Sequence, residues 1–364
     1  MTGARKILMT ADVVGGVWQY ATDVAAALTN QGAQVTLAIV GPHATSDQLR
    51  MAVSAGCTVH DTGLPLDWLC DGPDPVEVTA TRLAELASAM DADLVHCNHP
   101  ACIGAADWPV PVIAVAHGCV STWWRAARGE AVEPGFSWHA ELMRRGLLAA
   151  EIVVAPSASY ARDVQATYAL PRQPVAVHNG RAMRPTAGPA REDLFALTVG
   201  RLWDEVKQAP LLDRVAAQLD LPFLAAGSLQ APHGAKVAFD HLQTLGAIAA
   251  AQLDNLLAAR PIFVSAASFE PFGLAVLEAA AAGCPLVLAD TPSFRELWDG
   301  AAVFVPVASE QAYVEAIKDL AGDPARRAQL GRQAQDRARR YTPEHTAEAM
   351  IALYEHVQLQ RVAA

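Results

Sequence analysis

The stretch "KILMTADVVGGVWQYATDVAAALTNQGAQVTLAIVG", residues 6–41, decides the fold class. It opens with a short apolar run that ends in a glycine pair, continues with helical apolar spacing as far as Gly32, and closes with a second apolar run. This succession is typical of a βαβ unit, whose two strands are parallel and buried on both faces. The beginning of the chain therefore predicts an open parallel sheet covered by helices.

The same alternation occurs in two series along the chain. The first series runs to "EIVVAPS", residues 151–157, and the second begins with "LFALTVGRL", residues 194–202. Residues 170–191 between them are rich in Pro, Gly and Arg and lack periodicity, as expected of a connection between domains. We therefore predict an α/β protein with two Rossmann-like doubly wound domains, over 1–180 and 181–340, and a helix over 341–364 that packs back on the first.

Composition restricts the class of protein further. The 364 residues suffice for two domains, and no apolar run approaches the roughly 18 residues of a membrane-spanning helix. The net charge of -11 argues against nucleic acid and against strong binding to anionic membranes. The six cysteines form no CxxC pair, so we expect reduced thiols and no structural metal. The N-terminus does not read as a signal peptide, and we expect a cytoplasmic protein.

Two strand ends carry residues that suit an anionic ligand. In "TVGRLWDEVKQ", residues 198–208, Arg201 and Lys207 follow a predicted strand and are able to converge on one diphosphate, although two ordinary surface cations are the alternative. At the first strand end, Gly15 and Gly16 either bring backbone amides towards a ligand or form a plain tight turn. The three-glycine spacing and the acidic partner of a dinucleotide fingerprint are missing there.

A third strand end contains two glutamates. In "SFEPFGLAVLEAAAAG", residues 268–283, Glu270 lies in a turn and Glu278 in the second turn of the helix that follows. The start of such a helix offers backbone amides to an anion. The amides concerned are those of Phe272, Gly273 and Leu274. We expect Glu278 to be buried and to need either a ligand's hydroxyl groups or a structural salt bridge.

Four segments in this order carry a resemblance to a known family: "GGVWQY" (15–20), "GRLWDEVK" (200–207), "FEPFGLAVLEA" (269–279) and "RELWDGAAVFVP" (295–306). Together they resemble the GT-B glycosyltransferases, in particular the retaining group of family 4, over nearly the whole chain. The two glutamates separated by seven residues are the most specific motif. The resemblance implies two Rossmann-like domains that face a central cleft. It also implies transfer of a hexose-type sugar from a nucleotide-diphosphate donor to a hydroxyl acceptor, with no metal or other cofactor.

The resemblance also implies roles for individual residues. Arg201 and Lys207 match the pair that neutralises the donor diphosphate, while Glu270 matches a contact to the sugar hydroxyls and Glu278 a contact to the nucleotide ribose. His117 matches a histidine beside the donor sugar. The backbone groups implied in donor binding are those of Gly15, Gly16, Phe272, Gly273 and Leu274. The sequence departs from the family pattern at Gln208, where a glycine is common.

An aromatic stretch of the first domain suggests the acceptor site. Trp123, Trp124, Phe136 and Trp138 fall within 16 residues, and Arg125 is able to read an acidic acceptor. A packed loop with an aromatic anchor is the alternative. We also assign the aromatic residues of the glycine-rich turn to acceptor binding, namely Trp18 and Tyr20. Because the first domain is acidic, we expect a soluble saccharide or small-molecule acceptor.

Three other functions fit parts of the pattern. A sugar-nucleotide epimerase or hydrolase of the same fold would use the same donor site. A non-catalytic nucleotide-sugar-binding scaffold would keep the fold without turnover. An NAD-dependent dehydrogenase shares the βαβ beginning, but the missing glycine fingerprint counts against it.

Overall fold

A computed structural model describes residues 5–182, 193–232 and 234–363 of the chain. The chain divides into two compact units: Met1–Ala182 together with Thr342–Ala364, and Met183–Tyr341. Each unit is organised around one sheet in which all strand pairs of the described residues are parallel. The predicted pair of Rossmann-like parallel-sheet domains is therefore confirmed.

In its described residues, the first unit holds a seven-stranded sheet. The strands are β1 (Lys6–Ala11), β2 (Gln34–Val40), β3 (Thr58–Leu64), β4 (Leu94–Cys97), β5 (Val112–Val115), β6 (Ile152–Ala155) and β7 (Val175–Ala176). The helices are α1 (Gly16–Asn30), α2 (Ser46–Ser54), α3 (Asp74–Ala89), α4 (Pro100–Ile103), α5 (Val120–Arg128), α6 (Ser137–Ala149) and α7 (Ala158–Tyr168). The strand order β3-β2-β1-β4-β5-β6-β7 changes direction beside β1.

The second unit repeats this plan with a six-stranded sheet in its described residues. The strands are β8 (Ala196–Val199), β9 (Phe223–Ala226), β10 (Gln243–Gly246), β11 (Ile262–Ser265), β12 (Leu286–Ala289) and β13 (Val303–Val305). The helices are α8 (Ala209–Ala216), α9 (Ala250–Ala258), α10 (Leu274–Ala281), α11 (Pro292–Trp298), α12 (Glu310–Gly322) and α13 (Pro324–Ala338). The order β10-β9-β8-β11-β12-β13 changes direction beside β8.

The last helix, α14 (Pro343–Ala363), belongs to the first unit. Its buried side chains Ala347, Met350, Tyr354 and Val357 recur at helical spacing and join the same core cluster as α1. The burial of this apolar stripe fixes the end of the chain against α1.

Part of the stretch that was expected to connect the domains is a strand. Val175 and Ala176 pair in parallel with Val154 and Ala155 of β6. A strand of two residues is too short to show periodicity, so β7 could not be predicted from the sequence pattern. Residues 183–191 of the predicted connection lie outside the described residues.

The cysteines of the described residues are free and buried, as expected of small apolar core residues. Among those same residues, no helix has the length and apolarity needed to cross a bilayer.

Candidate active site

The candidate site residues of the second unit lie where its strand order changes direction. β8 and β11 are neighbours in register, with Ala196 opposite Ile262 and Leu197 opposite Phe263. Their carboxyl ends therefore meet at one edge of the sheet, which is where ligands bind in open α/β sheets. The loop after β8 carries Arg201 and Lys207, and the loop after β11 carries Glu270.

Arg201 is positioned by an acidic neighbour on the same loop. One of its terminal nitrogens donates to Asp204 Oδ2 at 2.8 Å, and its guanidinium carbon lies 5.5 Å from the ring centre of Trp203. Asp204 is buried, and its other oxygen accepts from the amide of Val206. The contact holds the guanidinium group, and because the arginine side chain is 40% exposed, water or a ligand still reaches it.

Lys207 and Glu270 meet directly. Lys207 Nζ donates to Glu270 Oε2 at 2.5 Å, although the two residues are 63 positions apart. Both side chains are about one-fifth exposed, at 19% and 20%. They line a narrow cavity together with Gly200 and Ala275. The resemblance assigned Lys207 to the diphosphate and Glu270 to the sugar hydroxyls of one donor, and here the two side chains neutralise each other.

A one-turn 3₁₀ helix, Glu205–Lys207, delivers the lysine to this position. Asp204 caps its beginning, and Gln208 ends it with φ at +56°. That left-handed conformation is strained for residues with a side chain and favours glycine. The glycine that is common here in the family therefore has a physical reason, and Gln208 adopts the same turn despite its Cβ.

The helix α10 begins beside Glu270, as predicted. Gly273 precedes it with φ at +92°, and no described side chain caps this end of the helix. A Cβ on Gly273 would lie 3.1 Å from the ring of Phe294 and 3.2 Å from Glu270 Cγ. The position therefore favours glycine for two reasons, its positive φ and the lack of room for a side chain. Phe272 is buried and packs edge-on against Tyr341, 5.6 Å between ring centres. The start of α10 is therefore held rigidly next to the carboxylate.

Leu274 and Glu278 are half-buried on α10. Glu278 does occupy the second turn, but the expectation that it is buried is wrong. The helix is covered on the side of Val276, Leu277, Ala279 and Ala280 only. The desolvation penalty of the Glu278 carboxylate is therefore smaller than that of a glutamate in the core.

In the first unit, His117 follows β5. Its Nε2 lies 2.7 Å from Asn98 Oδ1, and its ring meets that of Tyr20 edge-on with 4.4 Å between centres. Burial lowers the pKa of His117 to about 3, and the nearby His96 and His99 add to the lowering. The imidazole is therefore neutral at physiological pH.

The glycine pair of the first unit lies between β1 and α1. Gly15 is the residue before the helix and has extended backbone, with φ at -145°, while Gly16 is exposed and begins the helix. The loop is anchored by Asp12, whose Oδ1 accepts from the amide of Val14 at 2.9 Å. The backbone angle at Gly15 is therefore one that residues other than glycine also adopt.

The acceptor role predicted for Trp18 and Tyr20 does not fit their positions. They are 1% and 2% exposed and belong to the core cluster that α1 shares with α14. This burial leaves neither ring accessible for stacking on a sugar. The Tyr20 hydroxyl instead lies 3.4 Å from His96 Nε2.

Trp123 and Trp124 lie on α5, which begins three residues after His117, and both are half-buried. They start a series of ring contacts that continues through Phe136 to Trp138, with 6.0 to 6.4 Å between successive centres. Arg125, which was expected to read an acidic acceptor, donates a hydrogen bond to Thr167 Oγ1 of α7 at 2.7 Å. The aromatic series is partly accessible, and the arginine ties α5 to α7.

Two residues of these sites were missed by the sequence reasoning. Asp204 holds Arg201, and Asn98 contacts His117. Asn98 directly follows β4, and Asp204 lies in the loop after β8. A search for polar residues after every predicted strand would have found both. Among residues 5–182, 193–232 and 234–363, no three His, Cys, Asp or Glu side chains are grouped to hold a metal ion.

The two Rossmann-like parallel-sheet domains are those of the GT-B fold class. Two family models match the chain side by side: Glycosyltransferase Family 4 over residues 14–181 and Glycosyl transferases group 1 over residues 182–337. The chain belongs to the family-4 glycosyltransferases and is a transferase enzyme.

Relatives and solved structures agree with this assignment. The D-inositol 3-phosphate glycosyltransferase of Kineococcus radiotolerans is 27% identical, over 96% of this chain and 92% of the relative. Sucrose-phosphate synthase from Thermosynechococcus elongatus has the same fold, with a TM-score of 0.80, 16% identity and coverage of 98% and 100% of the two chains. The Anabaena protein HepE, solved with UDP-glucose, matches with a TM-score of 0.73, 16% identity and coverage of 96% and 99%.

Proposed function

We propose that this glycosyltransferase moves a hexose-type sugar from a nucleotide-diphosphate donor to a hydroxyl acceptor, with retention of anomeric configuration and without a metal ion. The observation that carries the proposal is the meeting of Lys207, on the loop that also carries Arg201, with Glu270 just before α10. One cation, one carboxylate and a helix N-terminus at a strand switch point provide the groups that a sugar diphosphate needs.

The chemical step requires charge to be stabilised on the departing diphosphate. Arg201 offers a planar fork, Lys207 a compact charge, and the N-terminus of α10 its backbone amides. Such preorganised donors act most strongly where charge develops in the transition state. Glu270, released from Lys207 by the phosphates, is then free to accept hydrogen bonds from the sugar hydroxyls, and Glu278 from the ribose.

For the chemical course we propose the same-face substitution that the family resemblance implies, in which the acceptor hydroxyl attacks from the face that the diphosphate leaves. On this course the departing phosphate oxygen takes the acceptor's proton, and Glu270 orients the sugar without forming a bond to it. A covalent glycosyl adduct on Glu270 would contradict this role. Retention itself is read from the anomeric configuration of the product by NMR.

The acceptor is best sought among small polyols and their phosphates. The Kineococcus relative is named for an inositol phosphate, and the half-buried rings from Trp123 to Trp138 suit a ring-shaped molecule. A soluble saccharide or polyol therefore suits the first unit better than a lipid. Nucleic acid has no place in the proposal, because the chain carries a net charge of -11.

The test combines donor binding with product analysis. A thermal-shift panel of UDP, GDP, ADP and their sugars selects the donor, since a ligand at 100 times its dissociation constant stabilises by about 2.7 kcal/mol. The selected donor is then incubated in EDTA, alone and with inositol 3-phosphate or simple sugars. A glycosylated acceptor supports the proposal. Free sugar or an epimerised donor without acceptor would indicate a hydrolase or an epimerase, and loss of transfer in EDTA would contradict metal independence.

A further inference from the structure

A chain of hydrogen bonds leads to His117 from the C-terminal helix. The hydroxyl of Tyr354 on α14 lies 2.6 Å from His96 Nδ1, His96 Nε2 lies 3.2 Å from Asn98 Oδ1, and the same oxygen lies 2.7 Å from His117 Nε2. Tyr354 and His96 are fully buried, and Asn98 is 5% exposed. Groups so deeply buried have no water to exchange with, so their donor and acceptor roles are set by one another.

The orientation of the Asn98 carboxamide follows from its other contact. Asn98 Nδ2 donates to the backbone carbonyl of Thr10 at 2.6 Å. Because a carbonyl oxygen only accepts, the nitrogen must face Thr10 and the oxygen must face the two histidines. The backbone N–H of Asn98 also donates to Thr10 Oγ1 at 2.8 Å, which fixes the backbone from which the side chain extends.

The orientation of Asn98 determines which ring nitrogens carry protons. Since Asn98 Oδ1 only accepts, both His96 Nε2 and His117 Nε2 must donate. Burial lowers the pKa of His96 to about 4, so its Nδ1 has no proton at neutral pH and accepts from the Tyr354 hydroxyl. The neutral ring of His117 likewise has its single proton on Nε2.

We infer that Asn98 is a positioning residue, which holds His117 in the tautomer that carries its proton on Nε2 and presents Nδ1 as a hydrogen-bond acceptor. The consequence for the substrate rests on the proposed function: a group that meets Nδ1 must be a donor, such as a sugar hydroxyl. A carboxylate or phosphate oxygen at the same place would find no proton. His117 is thereby excluded as a general acid.

The tautomer is measured in the free protein, without any substrate. In two-bond ¹H–¹⁵N correlation spectra of ¹⁵N-labelled protein, with His117 assigned by comparison with a His117→Gln variant, we expect the pattern of a neutral ring protonated at Nε2. A neutral ring protonated at Nδ1, or an imidazolium at pH 7, would overturn the inference. This readout needs no turnover, so its failure is distinct from failure of the proposed function.

Variants separate positioning from folding. Asn98→Ala should convert His117 to a mixture of tautomers, whereas Asn179→Ala, which removes another buried carboxamide of the same unit, should leave the Nε2–H pattern unchanged. An unchanged pattern in Asn98→Ala would contradict the inference.

Asn98→Asp provides a second variant of nearly the same shape. Its carboxylate should keep the proton on Nε2 and raise the pKa of His117 by about one to three pH units, as a charge within hydrogen-bonding distance does. The other groups that act on His117 are His96, His99 and Asp12, together with the ring of Tyr20. They are present in the wild type and the variant alike, so the difference reports on position 98. A pKa of His117 that does not rise would count against the contact.

Discussion

The two units hold their candidate site residues by different means. In the second unit, Lys207 and Glu270 form an ion pair of 2.5 Å whose members are both about one-fifth exposed, at 19% and 20%. In the first unit, His117 and Asn98 share a neutral hydrogen bond inside a buried network. A partly exposed ion pair can be replaced by other ionic contacts at a small cost in free energy. The groups of a buried neutral network instead keep fixed hydrogen-bond partners and orientations. The first arrangement suits a phosphate that displaces a carboxylate, and the second suits a hydroxyl that must be oriented.

The largest effect should come from removing a cation of the second unit. Arg201→Ala and Lys207→Ala should each lower turnover by about 10² to 10³, because each removes a preorganised donor to the leaving diphosphate. The control is Lys318→Ala, which removes an exposed lysine of α12 in the same unit. Steady-state kinetics with the selected donor measure the effect. If Lys207→Ala and Lys318→Ala turned over at the same rate, Lys207 would not contact the leaving diphosphate.

The neutral network of the first unit should appear as a pH dependence of stability. Burial lowers the pKa of His96 to about 4, so between about pH 6.5 and 4 the unfolded chain binds a proton at this residue and the folded chain does not. Stability must then fall as the pH falls through this window, by up to about 1.4 kcal/mol per pH unit. Urea unfolding at pH 7 and pH 5 should show a loss about 2 kcal/mol smaller in His96→Gln than in the wild type.

The control for this measurement is His60→Gln, which replaces an exposed histidine of β3. Its loss of stability between pH 7 and pH 5 should equal that of the wild type. An equal loss in His96→Gln would mean that His96 is not held neutral by burial, and the contrast between the two units would disappear.

A matched pair of glycines tests how rigidly the start of α10 holds Glu270. Gly273 and Gly300 both have positive φ, +92° and +76°, but an added Cβ meets Phe294 and Glu270 only at position 273. Both alanine variants should lose about 1 to 2 kcal/mol to backbone strain. Gly273→Ala should lose about 1 kcal/mol more to the crowding. Thermal unfolding measures both, and identical melting temperatures would show that the contact with Glu270 relaxes freely.

The smallest effect distinguishes the two roles of Glu270. Glu270→Gln should release Lys207 and tighten binding of the nucleoside diphosphate by up to about fivefold, the equivalent of an ion pair worth ~1 kcal/mol. The same variant should slow sugar transfer, because a contact to the sugar hydroxyls is weakened. Calorimetric titration of the diphosphate measures the first effect. Weaker binding of the diphosphate by the variant would mean that Glu270 assists the phosphates and does not compete with them.

The sequence predicted the two parallel-sheet domains and several of their strands and helices, because alternating apolar runs are a local signal, but it missed β7. The resemblance to a family, and not spacing alone, indicated the site residues. The sequence did not predict the burial of Trp18 and Tyr20, since α14, more than 300 residues later, shares their core cluster. It also did not predict that Lys207 reaches Glu270, a contact between loops that β8 and β11 bring to the same edge. Asn98 was missed for the same reason, because its partners Thr10, His96 and His117 lie on three different strands or strand ends. Contacts that tertiary pairing creates leave no periodic signal.

The most direct test of the central claim is a crystal structure of the chain with the nucleoside diphosphate that the thermal-shift panel selects. We expect Lys207 Nζ to leave Glu270 Oε2 and, together with Arg201, to lie within hydrogen-bonding distance of the phosphate oxygens, with the start of α10 beside them. A diphosphate bound elsewhere while the Lys207–Glu270 ion pair remains intact would contradict it.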